Sequence, residues 1–160
     1  MKGDILLTEA IPTLKITDAE WEIMRVVWAQ GKATSREIIQ VLEDKMNWKA
    51  STIKTLISRL VEKGALDTEQ EGRKYIYSAK LTEEASLDES ISDMLARICN
   101  KKAGEVIGDM LTNSPLSQSD IEELMSILKE KKKTALDVVA CDCVSGQCEC
   151  QVNLGGELNE

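Results

Sequence analysis

The segment WKASTIKTLISRLVEKG, from Trp48 to Gly64, carries apolar residues at strictly helical spacing. They occupy positions i, i+3, i+4, i+7 and i+8 and so form one continuous stripe: Ile53, Leu56, Ile57, Leu60 and Val61. A stripe this regular predicts a helix that is buried along one side by neighbouring elements. The rest of the chain must therefore supply a small core around this helix.

Two shorter helices are predicted before it. The first, TDAEWEIMRVVWAQG, starts with Thr17 and has Glu20 three residues later, which is a capping box, and Gly31 ends it. The second, ATSREIIQVLEDK, follows after a short linker, so the two helices must pack at an angle. Its apolar side is formed by Ile38, Ile39, Val41 and Leu42.

After Gly64 the apolar period changes from that of a helix to that of strands. ALDTEQEGRKYIYSAKL predicts two short strands around a turn at Glu71-Gly72. Three helices followed by such a hairpin form a winged helix-turn-helix, in which the third helix enters the DNA major groove and the hairpin contacts the backbone nearby. Phe is absent, so aliphatic residues must build most of the core, which is also predicted to include Trp21, Trp28 and Trp48.

From Leu81 onward the sequence is helical and acidic, with three predicted helices that are too short to form a core alone. Two copies of the chain would bury each other's apolar stripes. The predicted fold class is therefore mainly α with a small β-hairpin wing. The predicted domains are an N-terminal arm (1–16), a winged-helix DNA-binding domain (17–81), a helical dimerisation region (82–134) and a Cys-rich metal-sensing tail (135–160), whose last residues, NLGGELNE, are predicted to be disordered.

The formal charge of −8 is unevenly distributed. Residues 1–81 carry 13 basic and 12 acidic side chains, whereas residues 82–160 carry 7 and 16. The outer face of the third helix combines short hydroxyls with cations, and this favours DNA contact over the alternative of a merely solvated surface. The predicted DNA-binding residues are Lys49, Ser51, Thr52, Lys54, Thr55, Ser58 and Arg59, with Arg73 on the wing.

Several function classes fit the sequence poorly. The chain has no His, no Gly-rich phosphate loop and no nucleophile beside a base, so an enzyme is not expected. Asp4 and Glu9 interrupt the start where a signal peptide needs an apolar run, and no apolar run approaches the ~18 residues of a membrane span. We therefore expect a cytoplasmic protein without a membrane partner, whose cysteines stay reduced and favour metal binding over disulfides.

Four of the five cysteines lie in the stretch CDCVSGQCEC, as Cys141, Cys143, Cys148 and Cys150. In extended chain, residues i and i+2 face the same way, so each pair points together and Gly146 permits a reversal between the pairs. Four converging thiolates suit tetrahedral Zn²⁺, and C-x-C pairs also suit bridging sulfur around Cu(I). Cys99 stands apart and is expected to be a small buried hydrophobe in the core or an interface.

The segments TDAEWEIMRVVW, ATSREIIQVL, STIKTLISRLVEKGAL and EGRKYIYSAKLTEEA resemble the winged-helix repressors of the penicillinase-repressor family (BlaI/MecI) over roughly residues 16–130. With the cysteine tail, the chain is similar to the CopY-type copper-responsive branch. The resemblance implies a homodimer on an inverted-repeat operator of the TACA…TGTA type before copper-export genes. It also implies that the Zn(II) form binds DNA, and that Cu(I) from a copper chaperone replaces zinc at the four tail cysteines and releases the repressor.

The sequence departs from the family pattern in two places. The β-lactam-responsive branch is inactivated by cleavage at an Asn–Phe bond, and a chain without Phe cannot use that route. Lys49-Ala50 stands where the recognition helix of the family often starts with Ser-Pro, so the helix start is less firmly defined. The recognition helix implied by the resemblance runs from about Lys49 to Lys63.

Three alternatives remain open at the level of sequence. A repressor of the same fold could sense zinc or cadmium, because a four-cysteine site does not select a metal by ligand type alone. The tail could be only a structural zinc clip, or it could be a copper buffer that needs no DNA-binding domain. A zinc ion and two cuprous ions give four thiolates the same net charge, so a switch between the two metals would have to act through geometry.

Overall fold

The computed structural model describes residues 14–150. Most of the predicted N-terminal arm and the end of the tail, including the predicted disorder of NLGGELNE, lie outside the described residues. The chain divides into two compact units, with the boundary between Ser90 and Ile91. The observed architecture is mainly helical with one small antiparallel sheet, as predicted.

The first unit begins with helix α1 (Asp18–Gln30). Its capping box is present as predicted: the Thr17 backbone N–H donates to Glu20 Oε2 at 2.9 Å, and the Glu20 N–H donates to Thr17 Oγ1 at 3.3 Å. The helix ends at Gly31, whose φ of 75° places it in a conformation that favours glycine. A three-residue strand, β1 (Lys32–Thr34), follows directly.

Helix α2 (Ser35–Met46) begins with a second capping box, formed by Thr34 and Glu37. It ends at Asn47, the non-glycine residue with a positive φ among the described residues. Helix α3 (Ala50–Glu62) follows after three residues, and its N-cap, Lys49, provides no side-chain cap. The stripe predicted on α3 is confirmed, because Ile53, Leu56, Ile57 and Leu60 are all buried.

Strands β2 (Leu66–Glu71) and β3 (Lys74–Ala79) form the wing hairpin. Their register pairs Glu71 with Lys74, so the two-residue loop is Gly72-Arg73, and the turn predicted at Glu71-Gly72 is wrong by one residue. Gly72 has a φ of 64°, which fits the first central position of a type II′ turn. β1 adds a third strand on the other side of β3, which the sequence did not predict.

The core of the first unit is aliphatic. The tryptophans predicted for the core lie at its edge instead: Trp28 and Trp48 are half-buried against it, and Trp21 contacts Trp28 edge-to-face with ring centroids 5.3 Å apart. The Trp28 indole N–H donates to the Leu81 carbonyl at 2.8 Å. Large side chains with polar edges are thus placed where those edges can find partners. The fully buried side chains include Ile23, Met24, Val27, Ile38, Leu42, Ile53 and Leu60.

Three helices follow the sheet: α4 (Glu83–Ala96), which contains the boundary between the units, α5 (Ala103–Asn113) and α6 (Gln118–Lys132). A single 3₁₀ turn (Asn100–Lys102) precedes α5. Ser117 caps α6, in a capping box with Asp120. No residue of α5 or α6 is buried in the single chain. Across residues 14–150, no helix is both long and apolar enough to cross a membrane.

Candidate DNA-binding face and thiol cluster

All the residues predicted to contact DNA on α3 lie on its exposed side. Lys49, at the N-cap, is exposed, and so are Ser51, Thr52, Lys54, Thr55, Ser58 and Arg59. The opposite side of the helix is the buried stripe, so the core fixes which face is presented outward. The helix therefore offers one continuous hydroxyl-and-cation surface, while its actual contacts with DNA stay a prediction.

Two hydroxyls on this face are held by their own helix. Thr55 Oγ1 donates to the Ser51 carbonyl at 3.0 Å, and Ser58 Oγ donates to the Lys54 carbonyl at 3.1 Å. Each oxygen keeps its lone pairs free to accept a hydrogen bond. The cationic side chains of Lys54 and Arg59 are exposed on the same side of the helix as these short groups, which suits a surface that approaches a phosphate backbone.

The wing presents Arg73 at the exposed tip of its hairpin. The Gln70 side chain donates to the Gly72 carbonyl at 3.2 Å and braces the turn. β2 carries exposed carboxylates that would repel DNA, and two of them are paired with lysines: Glu69 with Lys32 at 3.4 Å and Asp67 with Lys80 at 3.2 Å. These pairs partly neutralise the strand beside Arg73.

Four cysteine sulfurs lie within 4.8 Å of one another in the second unit, those of Cys99, Cys141, Cys143 and Cys148. The Cys141 and Cys148 sulfurs are 3.2 Å apart, and the Cys99 and Cys141 sulfurs are 3.4 Å apart. Four sulfurs at about 2.3 Å from a central zinc ion would be separated by about 3.8 Å along each tetrahedral edge. The spacing and the donor type thus fit a closed thiolate site for a single soft or borderline metal ion.

The prediction that Cys99 lies apart from the tail cysteines is wrong. Its side chain is buried, as expected, with 6% of its surface exposed, but the tail cysteines contribute to that burial. Cys150 is not among the four clustered sulfurs, although its Sγ lies 3.8 Å from that of Cys99. The structure therefore brings together three of the four predicted ligands with Cys99, which the sequence had assigned to the core or an interface.

The tail reaches this arrangement without forming strands, in contrast to the extended pairs expected from the C-x-C spacing. A turn between the pairs is confirmed: the Gln147 N–H donates to the Val144 carbonyl at 3.0 Å, and Gly146 has a φ of 87°. The Asn100 N–H donates to Asp142 Oδ1 at 3.0 Å, which holds the first pair beside the 3₁₀ turn. A local turn and one anchoring carboxylate thus replace the predicted two-stranded arrangement.

The thiols of the cluster share protons unequally. A hydrogen bond from Cys141 lowers the pKa of the Cys148 thiol to about 7. Bonding to the Cys148 sulfur raises the pKa of Cys150 to about 11 and also raises the pKa of Cys143. A thiolate is thus favoured at Cys148 near neutral pH, while the raised pKa values of Cys143 and Cys150 keep those two thiols protonated. Because metal ligands must be deprotonated, metal binding here would release protons.

Cys99 also stands out electrostatically. The nearby backbone N–H of Lys101 lowers the pKa of the Cys99 thiol, and burial opposes this effect less strongly. Its role could not be found from spacing, because 42 residues separate Cys99 from Cys141. The one feature of the sequence that could have pointed to Cys99 was its residue type, because a fifth cysteine is a further soft ligand in a chain whose tail already has four.

The three-helix core, the outward α3 face and the wing define a winged-helix DNA-binding protein of the repressor class. The family model described as "Penicillinase repressor" matches residues 16–130. The chain belongs to the penicillinase repressor family. The family is described as a repressor family and the Bacillus licheniformis relative is named a penicillinase repressor, which agrees with the expectation that the chain is not an enzyme. The four tail cysteines lie beyond the residues that the family model matches.

Two relatives show how far the similarity extends. The "Uncharacterized 16.5 kDa protein in ptsI 3'region" of Latilactobacillus sakei is 42% identical over 139 residues, which are 87% of this chain and 95% of that protein. The penicillinase repressor of Bacillus licheniformis is 34% identical over 118 residues, 74% and 92% of the two chains. A solution structure of the monomeric form of Bacillus licheniformis BlaI, in complex with the blaP half-operator, is 37% identical over 44% of this chain and 87% of that one, with a TM-score of 0.41.

Proposed function

We propose that this protein is a metal-responsive transcriptional repressor of copper-export genes. In the proposal, the Zn(II)-loaded homodimer binds an inverted-repeat operator of the TACA…TGTA type, and Cu(I), donated by a copper chaperone, takes over the thiolates and releases the DNA. Residues 17–81 bind DNA, residues 82–134 form the dimer and residues 135–160 sense the metal. The DNA contacts are those predicted from the sequence, from Lys49 to Arg59 on α3 and Arg73 on the wing.

The observation that carries this proposal is the gathered thiol cluster in a chain of a repressor family. The family match accounts for DNA binding and ends at residue 130, so it does not account for the cysteines. Sulfurs 3.2–3.4 Å apart in the same chain supply a site that a metal ion can occupy. A soft-ligand site on a repressor would allow a thiophilic metal to control DNA binding, and this is the regulation that we propose.

We propose copper rather than zinc as the signal because the two ions place different demands on a set of thiolates. Zinc in structural sites is held by four ligands in a closed tetrahedron, whereas Cu(I) selects soft thiolates. The four clustered thiols and the neighbouring Cys150 together can satisfy both ions, and the two loaded forms would differ in which sulfurs are engaged rather than in net charge. The change of ligands, and not a change of charge, would then alter the repressor.

Dimer formation is supported by the uncovered apolar faces of the second unit. Ile121, Met125 and Leu128 are 46–53% exposed and lie on one stripe of α6, and Ile107 and Met110 of α5 are 44–45% exposed. Neither helix buries a residue in the single chain. A second copy would cover such a surface, and a two-fold dimer matches an inverted-repeat operator.

The proposal is tested by measuring operator binding by fluorescence anisotropy at fixed salt, anaerobically, for zinc-loaded and chelator-stripped protein. The double variant Cys141→Ser/Cys148→Ser removes two clustered sulfurs and leaves α3 untouched. We expect tight binding by the zinc form and much weaker binding by the stripped protein and by the variant. Equal operator affinity in all three would contradict the proposal, because the cluster would then be a clip or a metal buffer without regulatory effect.

The closest rival, a repressor that senses zinc or cadmium, is separated by the choice of metal. The same assay is run with the zinc form after additions of Cd²⁺, excess Zn²⁺ or Cu(I). We expect only Cu(I) to release the operator. Release by Cd²⁺ or by excess Zn²⁺, with Cu(I) ineffective, would assign the signal to those ions instead.

A further inference from the structure

The cluster combines one cysteine from the helical part of the second unit with three from the tail. Cys99 follows the end of α4 by three residues and is the N-cap of the 3₁₀ turn that leads into α5. The other sulfurs belong to a segment without α-helix or β-strand. The cluster therefore joins a residue held between two helices to a segment that has no regular structure of its own.

Several contacts show that the tail docks at this point. Two tail sulfurs lie within 3.4–3.8 Å of the Cys99 sulfur, those of Cys141 and Cys150. The Asn100 backbone N–H donates to Asp142 Oδ1, so the residue after Cys99 holds the residue after Cys141. Contacts from two successive residues in each segment make this a defined junction rather than an approach of two side chains.

We propose that Cys99 is the fourth zinc ligand, with Cys141, Cys143 and Cys148, and that the zinc site thereby fastens the tail to the junction between α4 and α5. This inference rests on the proposed function and identifies the residue through which the metal acts on the helical region. In this assignment Cys150 does not bind zinc but is available as a replacement ligand. It lies close enough to Cys99 to replace it when the ligand set changes.

If Cys99 is a zinc ligand, exchanging zinc for copper would change how the tail is attached to the junction between α4 and α5. The four tail cysteines alone form two C-x-C pairs, which suffice for Cu(I) because it accepts fewer sulfurs per ion than zinc. In the copper form, Cys150 would lose its thiol proton and enter the site, while Cys99 would leave the site and take up a proton. The junction between α4 and α5 is then no longer tied to the tail, although every metal ion is still bound by thiolates.

Two single variants, Cys99→Ser and Cys150→Ser, test this assignment as a matched pair. Zinc affinity is measured by competition with a chromophoric chelator, and hydrogen exchange by mass spectrometry is followed over residues 96–103. We expect Cys99→Ser to weaken zinc binding at least about tenfold, since the loss of a mere outer-shell partner already costs 10–100-fold. It should also abolish the zinc-dependent protection of residues 96–103, whereas Cys150→Ser should keep that protection and lose less affinity.

Wild-type protein provides a third arm that does not depend on the folding of either variant. Zinc should protect residues 96–103 relative to chelator-stripped protein, and Cu(I) should remove that protection. The assignment is overturned if zinc leaves the segment unprotected in wild-type protein, or if Cys150→Ser loses more zinc affinity than Cys99→Ser. Either of these results can occur while Cu(I) still releases the operator, so failure of the inference is distinguishable from failure of the proposed function.

Discussion

The Glu20 carboxylate accepts a hydrogen bond from the Lys63 ammonium at 2.6 Å, and this bond ties the first turn of α1 to the end of α3. Lys63 also donates to the Lys15 carbonyl at 3.0 Å. Glu20 is almost fully buried, with 1% of its surface exposed, and its carboxylate also receives the Thr17 N–H. The predicted recognition helix is thus fixed at its far end by the capping residue of another helix.

Replacing Glu20 by Gln should destabilise the first unit. Gln keeps the capping box but removes the charge of a buried carboxylate that pairs with the solvent-accessible Lys63 ammonium, so we expect a loss of about 1–3 kcal/mol in the free energy of unfolding. The matched control is Glu130→Gln, because Glu130 pairs with Lys133 at 2.7 Å in an exposed position and should change stability little. Urea unfolding of both variants decides this, and equal effects would contradict the role assigned to the pair of Glu20 with Lys63.

The same carboxylate predicts a pH dependence of stability. Burial alone would raise the pKa of Glu20, but hydrogen bonds from Lys63 and the Thr17 backbone outweigh it and lower the pKa below 4.5. Because the pKa of Glu20 is lower in the folded state than in the unfolded state, its ionised form stabilises the fold at pH values above the unfolded-state pKa. This contribution is lost as the pH falls through the folded-state pKa. As the pH is lowered from about 6 to 3, the urea midpoint of unfolding should therefore fall more steeply for the wild type than for Glu20→Gln. Parallel pH profiles of the two proteins would contradict a stabilising role of the Glu20 carboxylate.

The cations of α3 should contribute to operator affinity individually. Lys54→Ala and Arg59→Ala should each weaken binding by about 1 kcal/mol or more, and each should reduce the slope of log affinity against log salt by about one if the contact is to phosphate. Lys132→Ala, at the end of α6, removes an equally exposed charge and should alter neither quantity. If the three variants behave alike, the outward face of α3 is not the DNA-binding surface.

The apolar stripe of α6 should hold the dimer together. Met125→Glu places a charge in the middle of the stripe and should convert the dimer to a monomer, as measured by sedimentation equilibrium. Ser126→Glu adds the same charge to the next position of the helix, which is exposed but off the stripe, and should leave the dimer intact. A dimer that survives Met125→Glu would move the interface to another surface.

Local patterns carried most of the fold prediction. The α3 stripe and the capping box at Thr17 each depend on residues a few positions apart, and both were correctly predicted. β1 was missed because three residues are too few to show a period, and it exists only because β3 offers an edge.

Contacts between distant residues could not be predicted in the same way. The ion pair of Glu20 joins residues 43 positions apart, and the Cys99 contact joins residues 42 positions apart. Neither leaves a trace in local spacing. The tail cysteines were predicted to gather because C-x-C pairs share a direction, but which four sulfurs come together depends on where the chain places Cys99.

The central claim, that metal exchange at the thiols controls DNA binding, is tested most directly by titrating Cu(I) anaerobically into the zinc-loaded repressor on its operator. Anisotropy reports bound DNA, and a chromophoric indicator reports free zinc in the same cuvette. We expect free zinc to appear in solution and the anisotropy to fall in proportion to it as copper binds the thiols. Zinc release with the operator still bound would contradict it, and the signal that lifts this repressor from DNA would then lie outside the cysteine cluster.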